Sequence, residues 1–326
     1  MKEALDHFPS ASESGGEGKW SGAGPGKTSE DRPPSRDALF AGIGAYVLWG
    51  GLSILFMALA AQGAGAWEIL ASRCLWSLPW AGLILWMGRR GGEALAVLRS
   101  PRTLLWLTAS ATLVSVNWAI FIWASTNGHK LDASLAYYIN PLLNVGAGAL
   151  LFRERFSRAG AAAIVLACIG VALQGLAVGH PPWLALSMAV TFWGYGVIRK
   201  RVAASAQAGL FVECLMLAPL GLAYLIWLAS KGESHFGAGP AVTLLLLAAG
   251  PATVIPLALF AHAARQLPLS TMGFLQFIMP TALFGIAMAT GEPMTPLRTL
   301  SFAFIWGGVA VFAVSSSLSM RRAARP

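Results

Sequence analysis

Charge is what this sequence has least of. Only 11% of its 326 residues are Asp, Glu, Lys or Arg, while 56% are hydrophobic. A soluble domain carries about 25% charged residues. The deficit, with a mean hydropathy of +0.63, argues for an integral membrane protein. Cysteine is nearly absent too. Cys74, Cys168 and Cys214 all fall within apolar runs and form no spaced framework, so buried thiols are expected and no disulfide. The five histidines are scattered without metal-ligand spacing. No serine–histidine–acid arrangement can be assembled, and no cofactor or metal is expected. No apolar core follows a basic start, so no signal peptide is expected.

Residues 1–36 are rich in Ser, Gly, Glu, Lys and Pro and read as a disordered tail. Within it, Ser21 to Thr28 imitates a phosphate-binding loop. Serine stands in for the first glycine, and neither a strand before nor a helix start after supports that reading. With no nucleotide motif elsewhere, ATP cannot be the energy source.

What is present is ten apolar segments, at about 38–60, 66–87, 103–125, 132–152, 158–178, 182–198, 208–230, 240–262, 269–290 and 298–318. Most are long enough for a helical crossing of about 20 residues. The expected fold is all-α, with short loops and no soluble domain after the tail. Basic residues crowd every second connection: Arg89, Arg90, Arg99 and Arg102; Arg153, Arg155 and Arg158; Arg199, Lys200 and Arg201; Arg265; Arg321, Arg322 and Arg325. The alternate loops hold only Lys130, Lys231 and Arg298. The net charge of +9 is therefore a topology signal rather than a nucleic-acid surface, with both termini cytoplasmic.

The chain also repeats. Trp49-Gly50 answers Trp193-Gly194, Glu68 answers Glu213, Tyr138 to Pro141 answers Phe277 to Pro280, Glu154 answers Glu292, and Gly170 to Ala172 answers Gly308 to Ala310. Five matches in one order divide the chain into repeats at 37–180 and 181–320, with a short tail at 321–326. Five spans per unit is an odd number, so the second unit enters the membrane inverted, a plan common in transporters.

The candidate site centres on Ser134 to Asn144. Tyr137, Asn140 and Asn144 are spaced i, i+3, i+7 and share a helix face, and Pro141 frees the carbonyl of Tyr137 beside it. Such a face should look into protein or water, and it reads as the wall of a substrate pathway. Glu68 and Arg73 lie within the second span, about 140° apart on the helix. They read either as a structural ion pair with neighbouring helices or as a substrate or proton site, with Glu68 the candidate protonatable group. Glu213 is its counterpart and reads equally as a helix-end carboxylate beside Arg199 or Arg201. Glu154 and Glu292 read as structural. Asn117 lies deep in the third span, beside Trp118, with Trp123 nearer the outer boundary. These and Tyr138, Tyr195 and Gln276 complete the candidate pathway, against a reading as helix–helix glue or interface anchors. His262 reads as packing. Small residues at Ala159, Gly160, Ala163, Ala167 and Gly170 imply a close helix crossing.

Taken together, Glu68-Ile69-Leu70 with Arg73 and Trp76-Ser77, Asn117-Trp118 with Phe121 to Ala124, Ser134-Leu135 with Tyr138 to Leu142 and Asn144, Glu154-Arg155-Phe156, Tyr195-Gly196 with Arg199-Lys200, and Leu269 to Thr271 with Gly273-Phe274, Gln276 and Pro280-Thr281 resemble the RarD branch of the EamA permeases, in the drug/metabolite transporter superfamily. Phe302 to Trp306 extends the likeness into the last span. The resemblance covers about residues 38–318. It implies ten transmembrane helices in two inverted five-helix repeats, a bacterial inner-membrane location, and transport of a small metabolite or drug. The expected partners are a small-molecule substrate and membrane lipid, with no nucleic acid; a homodimer is compatible. A membrane enzyme acting on lipid and an accessory membrane subunit are the alternative classes.

The charge pattern generates a topology test. In a variant lacking Cys74, Cys168 and Cys214, a cysteine at Gly65 or Gly237 should react with an impermeant maleimide added outside, and one at Gly91 should not. Labelling in the opposite sense overturns the orientation.

Overall fold

The computed structural model describes residues 36–126, 130–151, 157–178, 183–279, 281 and 295–323. Eleven α-helices occur among them: α1 Arg36–Ala61, α2 Ala66–Met87, α3 Gly91–Arg99, α4 Pro101–Thr126, α5 Lys130–Leu151, α6 Arg158–Val178, α7 Trp183–Arg201, α8 Ala206–Ser230, α9 Pro240–Gln266, α10 Leu269–Gln276 and α11 Pro296–Ala323. The tail at 1–35, Glu154 and Glu292 lie outside the described residues.

Helices lie on all ten apolar segments, the ninth described as helix over Leu269–Gln276, because in hydrocarbon the backbone must satisfy its own hydrogen bonds. Six of them (α1, α2, α4, α6, α8 and α9) contain stretches long and apolar enough to cross a membrane. Shorter apolar stretches run through α5 and α11, at Leu135–Leu151 and Thr299–Ser315. Two expectations need correction. The connection after α2 is not a plain loop but contains α3, whose Ala94 and Val97 are buried while Leu95 and Leu98 are exposed. The basic triplet Arg199 to Arg201 is not in a loop either: it is the last turn of α7. Cations there oppose the partial negative charge of a helix C-terminus. Turn chemistry sets the next start, where Ser205 caps α8 by accepting from the Ala208 N–H at 3.2 Å.

Large apolar side chains such as Leu105, Leu150, Leu176, Leu220 and Leu244 point outward. With lipid as apolar as leucine, the helices have no hydrophobic reason to associate. Close packing and buried polar contacts must hold them instead. The most extensive contacts are α6 with α11, α2 with α8, α9 with α1 and α2, α5 with α10 and α7, and α4 with α7. The crossing of α6 and α11 uses glycine from both sides. A Cβ at Gly170 would stand 2.6 Å from Ile305 Cγ1, and one at Gly308 would stand 2.7 Å from the Ala163 carbonyl oxygen. Ser301 Oγ donates to the Gly170 carbonyl at 2.7 Å, and Ala163 and Ala167 are fully buried. Ala163, Ala167 and Gly170 thus lie on the contact face of α6, whereas Ala159 of the same stripe is exposed.

His262 is half-exposed and not a packing residue. It lies 3.6 Å from Asp37 and accepts or donates with Gln266 at 2.7 Å. The three cysteines are free. Gly237 adopts φ +87°, a region that strains any L-residue, so Gly65 is the sounder labelling position.

The glycine crossing yields a stability test. Gly308→Val should lower thermal stability by about 1–3 kcal/mol through overpacking. Gly175→Ala, on the same helix as Gly170 but with nothing within 4 Å of its Cβ, should not destabilise. Equal melting temperatures for both variants and wild type would show that α6 and α11 do not depend on this approach.

Candidate functional site

Between the helices lies a cavity of about 90 Å³, lined by Tyr46, Trp49, Leu52 and Phe56 of α1, Arg73 of α2, Asn117, Trp118 and Phe121 of α4, Tyr137 and Asn140 of α5, Met188 and Phe192 of α7, Leu257 of α9, Gln276 of α10, and Met279. Helices of both halves of the chain contribute. Arg73, Asn117, Tyr137, Asn140 and Gln276 are therefore brought together from four helices.

Each is held by specific contacts. Arg73 is buried, its Nε donating to Thr253 Oγ1 at 2.9 Å. Its guanidinium carbon lies 4.3 Å from the ring centre of Trp118 and 5.2 Å from that of Phe56. The position of α2 is set by Gly250 of α9, where a Cβ would overlap the Trp76 carbonyl. Asn117 spends both amide hydrogens on α7, on the Met188 carbonyl at 2.7 Å and Thr191 Oγ1 at 3.2 Å. It is helix glue and cavity wall at once. Asn144 does not line the cavity but donates to Gln276 Oε1 at 3.0 Å, orienting that amide. Tyr137 packs edge-on against Phe121. Asn140 Oδ1 and the Tyr46 hydroxyl are buried without a hydrogen-bond partner among the described residues. Pro141 lies within a helix that continues unbroken through it, and α10 approaches there so closely that a Cβ at Gly273 would stand 2.6 Å from the Pro141 carbonyl oxygen.

Glu68, Trp123, Tyr138, Tyr195 and Glu213 stand outside the cavity. Glu68 does not pair with Arg73. Its carboxylate accepts from the His235 backbone N–H at 2.7 Å and Ser234 Oγ at 3.2 Å, and contacts His235 Nδ1 at 2.8 Å. It ties the start of α2 to the loop between α8 and α9. Trp123 is partly exposed near the end of α4. Tyr138, one residue from Tyr137, faces the other way and packs on Phe302. Tyr195 stacks on Phe260 at 5.8 Å, within an aromatic layer that also holds Tyr46, Trp49 and Phe192. Glu213 accepts from Ser110 Oγ at 2.5 Å and lies 3.7 Å from Arg199 Nη1, both partners buried.

The end of the bundle that carries the basic turns is tied by cations on backbone carbonyls. Lys200 donates to Leu267 at 2.7 Å, Arg201 to Leu151 at 3.0 Å, and Arg199 to Ala206 at 2.9 Å. Arg265 donates to Val202 at 3.2 Å and also to Ala204. Sequence reasoning missed these roles, and missed Tyr46, Leu52, Phe56, Phe192, Leu257 and Met279 as lining. Tyr46 had a signal: a tyrosine one turn before Trp49 in an apolar span. The aliphatic residues had none.

A helical membrane protein with a polar, partly unsatisfied cavity at the meeting of its helices is the class that this geometry defines. No protein-family model matches the chain. An uncharacterized transporter of Vibrio cholerae is 41% identical over 286 residues, covering 87% of this chain and 94% of that protein. Protein RarD of Escherichia coli is 36% identical, covering 90% of this chain and all of that one, and protein RarD of Streptomyces exfoliatus is 39% identical over 88% of this chain. The chain belongs to the RarD family of permeases. A solved crystal structure shares the fold with a TM-score of 0.65 at 21% identity, over 88% of this chain and 99% of that one.

The buried pair supplies a test. Glu213→Ala leaves Arg199 charged in a dry site and should cost roughly 3–5 kcal/mol of stability. Glu213→Leu combined with Arg199→Met should recover most of it, measured as melting temperature in lipid nanodiscs. A single variant as stable as wild type would show that the pair carries no structural role.

Proposed function

We propose that this protein is a secondary transporter of a small metabolite or drug, working by alternating access between two inverted five-helix repeats in the bacterial inner membrane. The single observation carrying this reading is the cavity itself. Both halves of the chain contribute its wall, and Asn140 and Tyr46 offer buried polar atoms that nothing among the described residues satisfies. Unsatisfied polar groups cost free energy in a dry interior, so they point to a ligand that completes them. The names of the relatives, transporter and RarD, support the same reading.

The packing supports the repeat. Helices at corresponding positions meet, α2 with α8, α5 with α10 and α6 with α11, and the α1–α9 contact has its counterpart in α4–α7. Another pair is unequal. The α2–α9 contact is extensive and its counterpart α4–α8 is slight. Two inverted units in unequal conformations are what rocking between inward- and outward-open states requires. With the basic end cytoplasmic, the carbonyl-capping cations and the aromatic layer beneath the cavity act as the inner gate. Inward opening must break the Lys200–Leu267 and Arg201–Leu151 bonds.

Reconstitution with a panel of labelled metabolites tests the function. Counterflow without chemical change supports transport, whereas a modified product supports an enzyme acting in the membrane. Proton coupling is tested by Glu68→Gln: loss of pH-gradient-driven flux with normal folding assigns it as carrier, and unchanged flux leaves it holding the outer loop.

The asparagines separate site from scaffold. Asn140→Leu should keep the melting temperature and lose about 1–3 kcal/mol of substrate binding, the worth of a buried hydrogen-bonding group. Asn144→Leu, which breaks the bond to Gln276, should lower the melting temperature as well. Unchanged affinity in both variants would end the pathway reading.

A further inference from the structure

Arg73 is the one charged residue lining the cavity among the described residues. Its guanidinium is 4% exposed. No carboxylate among the described residues pairs with it. The two nearby candidates are engaged elsewhere, Glu68 with Ser234 and His235, and Glu213 with Ser110 and Arg199. An uncompensated buried charge is costly, and anions are its natural complement. Trp118 and Phe56 recover part of that cost through their ring faces. Contacts of this kind engage the flat faces of the group. Nε is spent on Thr253 Oγ1. What remains is the set of N–H groups on the two terminal nitrogens, the fork that receives a carboxylate with two parallel hydrogen bonds.

The rest of the cavity agrees in charge and size. Among the described residues no acidic side chain lines it, and Tyr46, Tyr137 and Asn140 add neutral groups able to donate. A single cation matches a single negative charge better than a phosphate dianion. At about 90 Å³ the cavity suits a small molecule. That admits a carboxylate and a short apolar body against Leu52, Leu257 and Met279.

We propose that the cavity binds a small monocarboxylate, its two oxygens on the terminal nitrogens of Arg73. This names the substrate class for the transport reading and rests on it, but binding can be measured apart from flux. Wild-type protein in nanodiscs of phosphatidylcholine is titrated with propionate, benzoate and phenylacetate, each against its amide and its amine, following the fluorescence of cavity tryptophans Trp49 and Trp118. Chloride and inorganic phosphate are run at matched ionic strength. At least one acid should bind saturably and about tenfold or more tighter than its amide, as a charge-assisted fork requires. Arg73→Lys, which keeps the charge without the planar fork, should weaken that acid by about tenfold. Arg73→Gln should abolish binding. If that variant does not fold, the wild-type comparison and Arg73→Lys still decide. Acids no tighter than their amides, equal responses to chloride or phosphate, or unchanged acid affinity in Arg73→Gln would each overturn the proposal. Acid binding without counterflow in liposomes would defeat the transport reading and leave the anion site standing. Counterflow of neutral or cationic solutes without acid binding would do the reverse.

Discussion

Inside hydrocarbon there is no water to satisfy a polar group, and that constraint sorts the buried acidic and amide side chains and Arg73 among the described residues. An intramembrane charge costs about 2.5–3.5 kcal/mol at a helix centre on insertion scales, so each one must be bonded or must await a ligand. Glu213 has Ser110 and Arg199. Glu68 has Ser234 and His235. Asn117 has the Met188 carbonyl, and Asn144 has Gln276. These groups hold helices and loops together. Arg73 and Asn140 are different. The first has one hydroxyl and two ring faces, the second an oxygen with no partner, and both line the cavity.

The same constraint gives the two ends of the bundle different characters. At the basic end four cations cap carbonyl oxygens of neighbouring segments, which both satisfies helix C-termini and ties α7 to α5 and α9. At the other end a single carboxylate, Glu68, gathers the loop between α8 and α9. Tyr46, Trp49, Phe192, Tyr195 and Phe260 pack ring on ring between α1, α7 and α9; the first three line the cavity, and Tyr195 stands one turn before Arg199 of the basic end. Ring packing of this kind can be rearranged without stranding many polar groups, whereas the cation–carbonyl bonds cannot. The barrier to opening that end should therefore sit in those bonds.

Periodicity made part of the site legible. Tyr137 and Asn140 line the cavity, three residues apart on one face, and Asn144 a turn later reaches Gln276. Part of the charge excess at alternate connections is carbonyl capping, by Arg199, Lys200 and Arg201 in the last turn of α7 and by Arg265. Other candidate residues stand apart from the cavity, because spacing along the chain reports helix faces and not neighbours in space. Glu68 and Arg73 are five residues apart yet belong to different neighbourhoods, one at a loop and one between rings. Tyr138 lies next to Tyr137 and faces α11.

The sequence alone determined that this chain is helical and built for a membrane, because hydrophobic run length and charge scarcity are local properties that hydrocarbon reads directly. It also determined which residues share a helix face. Only the tertiary structure decided which faces meet. That choice depends on close approaches such as Gly170 on Ser301 and Gly250 on Trp76, and on partners far away in the chain. Thr253 is 180 residues from Arg73, and no periodicity within either helix reports that the two meet beside a cavity.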